Sequence, residues 1–368
     1  MKRKILLVVS TRPNFMKVAP ILARMRERPE LFDTCLVHTG QHYDALLSDV
    51  FFDDLDLPAP DHHLGAGSGT HGVQTGRIMA AFDPVLIEEK PDLVVVVGDV
   101  TGTMACALGA VKLHVPVAHV EAGLRSRDRR MPEEINRIVT DAVSDFLFTP
   151  SHDADDNLRA EGIPEERIHF VGNVMVDSLH RALNSLDEST ALEDLGLQPR
   201  GYAYLTLHRD FNVDVEDRLR QALDAVERVQ RRLPVVFPVH PRTRDRIESF
   251  GLQGRLAQAP DLRLTEPVGY LDSLRLQKEA RLVLSDSAGL QEESTVFGVP
   301  CLTLRPSTER PVTVEVGTAT VVDLDADLIE RKTDQILDGS YKKGAVPELW
   351  DGAAAGRIVD LLAERLFI

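Results

Sequence analysis

A chain of 368 residues is longer than one ordinary hydrophobic core accommodates, so two domains are expected, and 43% hydrophobic with 27% charged residues is a globular balance. A net charge of −16 argues against a nucleic-acid partner, and any anionic ligand must be met by cations gathered locally. Cys35, Cys106 and Cys301, far apart and in or beside apolar runs, read as reduced thiols of a cytoplasmic protein, and the apolar run opening the chain is too short for a signal or membrane-spanning segment.

Residues 5–10 are apolar and β-branched and predict a strand, followed by a turn at Thr11-Arg12-Pro13-Asn14. Phe15, Val18, Ile21 and Leu22 share one face of a helix over 15–25. Residues 35–38 form a second strand, whose turn Thr39-Gly40-Gln41-His42 leads into 43–52. Residues 57–70 read as a loop, with GAGSG at 65–69 as a flexible stretch. Helices at 73–89, 103–113, 135–143 and 153–161 then alternate with strands at 93–97, 117–120 and 146–149. Such alternation implies a parallel sheet with helices on both faces and ligand residues at the strands' carboxyl ends.

Residues 170–174 close this half, and 185–201 read as linker. A second alternating series has strands at 202–207, 235–239, 282–284, 300–304 and 319–322, and an amphipathic helix at 215–231. The expected architecture is α/β: two doubly wound, Rossmann-like domains facing across a cleft, residues 1–175 and 176–352. A last helix, about 353–368, packs back on the first domain.

Three carboxylates stand out. Asp99 follows the run Leu93-Val-Val-Val-Val97, Glu121 follows Val117-Ala-His-Val120, and Glu133 follows Pro132 at a helix start. Acids at strand ends point at the ligand edge of a parallel sheet. Glu133 and Glu134 also suit a helix N-terminus for electrostatic reasons alone, and His119 by itself reads as a packed core histidine. Arg12 and Lys17 have the sign a phosphate needs, as solvated surface cations also would. In the second half, His208, Arg209 and His240 end strands and join Arg242, Arg244 and Arg310 in a positive set. The small residues Ser287, Ala288 and Gly289 open a helix where backbone amides can approach a diphosphate, and Glu293 lies about a turn further on. His62-His63 lack a partner at ligand spacing, so no metal site is expected.

In order along the chain, TRPNFMK (11–17), TGQH (39–42), GDV (98–100), HVEAGLRS (119–126), PEEINR (132–137), LHR (207–209), PVHPRT (238–243), LSDSAGLQEE (284–293) and TERP (308–311) resemble the non-hydrolysing UDP-N-acetylglucosamine 2-epimerases. The resemblance implies a GT-B-type fold, usually a homodimer, that interconverts UDP-GlcNAc and UDP-ManNAc with no added cofactor. It implies acid/base roles for Asp99, Glu121 and Glu133, with His208 at the diphosphate. Arg12, Lys17, Arg137, Arg310 and the Ser287-Ala288-Gly289 turn would hold the nucleotide, with Glu293 on the ribose. Gln41, His42 and His240 match positions that in some relatives meet a second, allosteric UDP-GlcNAc. The chain departs from the common family form at Asn14, at Asp210-Phe211 and at Ala288. A modified UDP-HexNAc, hydrolysis to free ManNAc, glycosyl transfer, and nucleotide-sugar sensing without turnover are the alternative readings.

Overall fold

The computed structural model of the protein describes residues 2–40 and 57–367, apart from the side chain of Arg12. The chain divides into two units, the first made of residues 1–178 and 348–368 and the second of 179–347.

The first unit holds β1 (Arg3–Val9), α1 (Arg12–Arg26), β2 (Phe32–His38), β3 (His62–His63), α2 (His71–Glu89), β4 (Leu93–Val97) and α3 (Thr101–Lys112). It continues through β5 (Val117–Val120), α4 (Pro132–Val143), β6 (Phe146–Thr149), α5 (His152–Ala160) and β7 (Ile168–Phe170). The seven strands pair in parallel in the order β3-β2-β1-β4-β5-β6-β7. Side chains alternate across a strand, so β1 and β4 feed two apolar layers. Ile5, Leu7, Val9, Leu93, Val95 and Val97 pack with α1, while Leu6, Val8, Val94 and Val96 pack with α2 and α3.

Helix α6 (Val174–Leu183) carries the chain across the boundary between units. The second unit contains α7 (Ala191–Asp194), β8 (Ala203–Thr206), α8 (Asp210–Val213), α9 (Glu216–Gln230), β9 (Val235–Pro238), α10 (Pro241–Ser249), α11 (Gln253–Leu256), β10 (Leu262–Thr265) and α12 (Tyr270–Glu279). It ends with β11 (Leu282–Ser285), α13 (Ala288–Phe297), β12 (Cys301–Thr303), α14 (Pro311–Glu315), β13 (Ala319–Val321) and α15 (Ala326–Asp338). Its six strands are also parallel, in the order β10-β9-β8-β11-β12-β13.

Three local expectations are corrected. Residues 11–14 are the first turn of α1, because Asn14 Oδ1 accepts from the Thr11 amide at 3.0 Å and Pro13 suits a helix start. His62 and His63 form a short strand paired with Val37 and His38. The stretch read as linker is folded, since Leu186, Ala191, Leu192 and Leu197 are buried in second-unit clusters.

α16 (Ala354–Phe367) returns to the first unit, where Ile358, Val359 and Leu362 join the layer under α1. Its first two amides donate to Asp177, at 3.2 Å from Ala354 and 2.9 Å from Ala355. Helix starts leave amides without intrahelical partners, so this carboxylate stabilises the returning helix. Asp177→Ala is expected to reduce the unfolding free energy by about 1 kcal/mol, read as a lower urea midpoint.

Candidate active site

In each unit the candidate residues gather where the strand order reverses, the place at which a doubly wound sheet leaves its carboxyl-end loops open to a ligand. In the first unit this point lies between β1 and β4.

Val97 of β4 lies opposite Val120 of β5, so Gly98-Asp99 and Glu121 leave the sheet side by side. Both turns are tight: Gly98 has φ +67° and Glu121 φ +70°. A left-handed residue with a side chain is uncommon and concentrates at functional sites. Gly98 is required on two counts, conformation and space. A Cβ there would lie 3.0 Å from Lys17 Nζ and 3.4 Å from Glu121 Oε2.

Lys17 and Glu121, both buried, form an ion pair. Arg137 donates to Asp99 from Nε at 3.0 Å and from Nη2 at 2.6 Å, and the Asn136 side-chain Nδ2 donates to the Asp99 carbonyl at 2.8 Å. These contacts seat the start of α4 on the β4 end. Glu133 is one helical turn before Arg137, on the same side of that helix.

The structure separates the adjacent acids Glu133 and Glu134. Glu134 is buried and accepts from the Ser126 amide at 2.7 Å, the Ser126 hydroxyl at 2.9 Å, the Arg127 amide at 2.9 Å and Arg137 at 2.9 Å. It ties the 121–131 loop to α4. Glu133 is half-buried and has no hydrogen-bond or ion-pair partner among the described residues.

In the second unit the reversal lies between β8 and β11, where Ser285 is opposite Thr206. Asp286, fully buried, accepts from the backbone amides of His208 at 3.0 Å and Arg209 at 2.9 Å. Its Oδ1 also lies 3.0 Å from His208 Nδ1. An ionised carboxylate only accepts, so Nδ1 carries the proton and Nε2 is left to act outward. Ser287, Ala288 and Gly289 form the start of α13, and a Cβ on Gly289 would meet nothing nearer than Ser287 Oγ at 3.8 Å.

His240 caps α10 by accepting from the Arg242 amide at 3.2 Å, and its ring lies 5.7 Å from that of His208. Burial, then the charges of His208 and Arg242, hold its pKa below the usual histidine value.

Four residues expected on the nucleotide have protein partners, Lys17 and Arg137 in the first unit as described above and two more in the second. Arg310 pairs with Glu292 and lies 3.2 Å from Glu309, and Glu293 accepts from Gln277 at 2.6 Å and from the Tyr270 hydroxyl at 3.2 Å. Gln41 and His42 lie outside the described residues, as does the side chain of Arg12.

Sequence reading alone assigns no site role to Asn14, Glu134, Asp141 or Asp286. Asp286 carried a usable signal, because it ends an apolar strand as Asp99 and Glu121 do. Asn14 carried none: its side-chain amide donates to the Val97 carbonyl at 3.0 Å, a contact across 83 residues of chain.

Among the described residues one group has ligand atoms close enough to share a metal ion: Cys35, His62 and Glu89, within 4.8 Å of one another. It is satisfied without one. Lys4 Nζ lies 2.7 Å from Glu89, His62 Nε2 lies 2.7 Å from the other Glu89 oxygen, and burial pushes the Cys35 thiol up to about 12.

Burial raises the carboxyls of Glu134, Asp141 and Asp286, but their partners outweigh it and hold all three below the ordinary range. The partners are Ser126 and Arg127 for Glu134, His119 and Arg125 for Asp141, and His208 for Asp286. A carboxyl depressed in the folded state contributes stability above its unfolded pKa, and that contribution is lost as pH falls through the folded value. The thermal midpoint is therefore expected to hold from neutrality to about pH 5 and to drop steeply below about pH 4, measured by scanning at stepped pH.

A family model described as UDP-N-acetylglucosamine 2-epimerase matches residues 23–363. The chain is 41% identical to the UDP-N-acetylglucosamine 2-epimerase of Methanocaldococcus jannaschii, over 98% of each chain. It is 42% identical to the UDP-2,3-diacetamido-2,3-dideoxy-D-glucuronate 2-epimerase of Pseudomonas aeruginosa, over 98% of this chain and 99% of that one. The crystal structure of the M. jannaschii epimerase in complex with UDP-GlcNAc and UDP superposes with a TM-score of 0.88 at 40% identity, covering 98% of this chain and 99% of that one.

Proposed function

Because the chain belongs to the UDP-N-acetylglucosamine 2-epimerase family, we propose that it is of the non-hydrolysing type and interconverts UDP-GlcNAc and UDP-ManNAc without an added cofactor, as a homodimer. The observation that carries the reading is the pair of turns after β4 and β5, which present Asp99 and Glu121 side by side with α4 and its Glu133 seated against them.

The C2 proton of the sugar is weakly acidic. Breaking the C1–O bond sends the electron pair to the UDP oxygen and builds positive character at C1, which acidifies C2. A carboxylate then takes the C2 proton, giving 2-acetamidoglucal and UDP. In the second half, a proton is delivered to the opposite face of C2 and the UDP oxygen re-forms its bond to C1. Two faces need two proton carriers, and Asp99, Glu121 and Glu133 supply them. Lys17 and Arg137 keep Glu121 and Asp99 in place between the two steps.

The leaving diphosphate falls to the second unit. There the start of α13 offers backbone amides, and His208 Nε2 can serve the bridging oxygen while Asp286 holds the ring. His240, beside His208 at a helix start, is the one allosteric candidate among the described residues.

The test is incubation with UDP-GlcNAc in D2O. Deuterium at C2 and formation of UDP-ManNAc are expected, and the absence of both would sink this substrate. The P. aeruginosa relative supports a second substrate reading, the same chemistry on a UDP-2,3-diacetamido sugar, and a panel of UDP-HexNAcs separates the two. Free UDP with free ManNAc would mark a hydrolysing enzyme, and sugar transfer to an acceptor a glycosyltransferase. Light scattering after size exclusion checks the homodimer.

A further inference from the structure

His119 sits on β5 between Val96 and Leu147 of the flanking strands, with a relative exposure of 0%. Both ring nitrogens are engaged: Nε2 with the Gly98 carbonyl at 2.8 Å, Nδ1 with Asp141 Oδ1 at 2.6 Å. A carbonyl only accepts, so Nε2 carries a proton. The second Asp141 oxygen accepts from the Gly123 amide at 3.1 Å and lies 2.7 Å from Arg125 Nη1. Arg125 is itself balanced by Glu161, at 2.8 and 2.6 Å.

We propose that the buried His119–Asp141 pair, an imidazolium on a carboxylate, is a positioning device that sets the spacing of Asp99 and Glu121 for proton transfer at C2. This rests on the epimerase reading above.

The geometry ties the two acids through their backbones. Gly98 immediately precedes Asp99, and His119 holds its carbonyl. Gly123 follows Glu121 by two residues, and Asp141 holds its amide. One buried pair thus grips both turns. Both turns are left-handed, with Gly98 at φ +67°, Glu121 at +70° and Gly123 at +80°; the two glycines adopt this freely, while Glu121 carries a side chain and needs outside contacts to hold its shape. Arg125 and the Gly123 amide stabilise the Asp141 carboxylate in spite of its burial, and an ionised carboxylate only accepts, so its contact with Nδ1 needs a proton on the ring. An apolar pair would fill this space at lower desolvation cost, but it could hold neither the Gly98 carbonyl nor the Gly123 amide.

Neither residue touches reacting atoms, so the expected signature is on turnover and not on binding. His119→Gln keeps a donor near the Nε2 position, toward Gly98. His119→Asn keeps one near the Nδ1 position, toward Asp141. In folded protein, H119N is expected to lose kcat by roughly 10²-fold with KM and UDP affinity unchanged. H119Q should recover much of that loss. Equal kcat in both variants and the wild type would overturn the proposal, as would losses in kcat and KM that simply follow falling thermal stability.

Should both variants fail to fold, 15N spectra of wild-type histidine side chains decide the charged pair. One slowly exchanging ring protonated on both nitrogens is expected, and its absence would overturn the proposal. A wild-type enzyme that exchanges no C2 proton in any UDP-HexNAc would instead reject the epimerase reading, and the positioning role with it. The spectra would still report whether the pair is charged.

Discussion

Glu133→Gln is expected to lower kcat by roughly 10²- to 10⁴-fold, the range for removing a proton carrier, while stability falls by no more than the roughly 0.3–1 kcal/mol of a helix-start charge. The clean separation follows from its surroundings. Glu133 has no partner among the described residues, so exchanging its carboxylate for an amide leaves no buried group unsatisfied. Glu134→Gln, one position along, is the control. It replaces a buried charge that collects four hydrogen bonds. The expected cost is about 1.5–3 kcal/mol of stability, the range for hydrogen bonds to a charged group, with a smaller loss of turnover. Urea midpoints and C2 deuterium incorporation on the two variants check the contrast. If E134Q lost more activity than E133Q at equal stability, the assignment of proton transfer to Glu133 would be wrong.

Asp286→Asn is expected to cost a similar factor in kcat by another route. Its carboxylate lies on His208 Nδ1 and accepts the amides of His208 and Arg209. An amide there presents NH2 to one of those donors and relaxes the choice of tautomer. Loss of a carboxylate that orients a working histidine costs up to about 10⁴-fold in the best-studied case. UDP affinity should change little, because the α13 amides are untouched. The discriminating measurement is pre-steady-state release of UDP from UDP-GlcNAc. A variant with normal UDP release would show that His208 does not serve the leaving group.

Most of the sheet framework was legible because parallel strands buried on both faces read as unbroken apolar runs, as at Leu93–Val97. β10 was missed because half of it is exposed: Arg263 and Leu264 face solvent on an edge strand. Strand ends carrying Asp99, Glu121 and His208 could be found from position alone. Partners could not, since Asn14 with Val97 and His119 with Gly98 meet only after the sheet has closed. His119 shows the limit plainly. A histidine inside an apolar strand reads as core, and it is core, yet its function lies in what its two nitrogens hold.

The return of α16 to the first unit has a bearing on synthesis order. The second unit is one continuous segment, 179–347, and it can complete its sheet while the first still lacks residues 348–367. Until those arrive, the apolar layer under α1 awaits Ile358, Val359 and Leu362, and Asp177 has no Ala354 or Ala355 amide to receive. The unit that begins first therefore matures last. A nascent chain stalled near residue 347 would expose that apolar face to chaperones, and a supplied peptide spanning 348–367 should restore it.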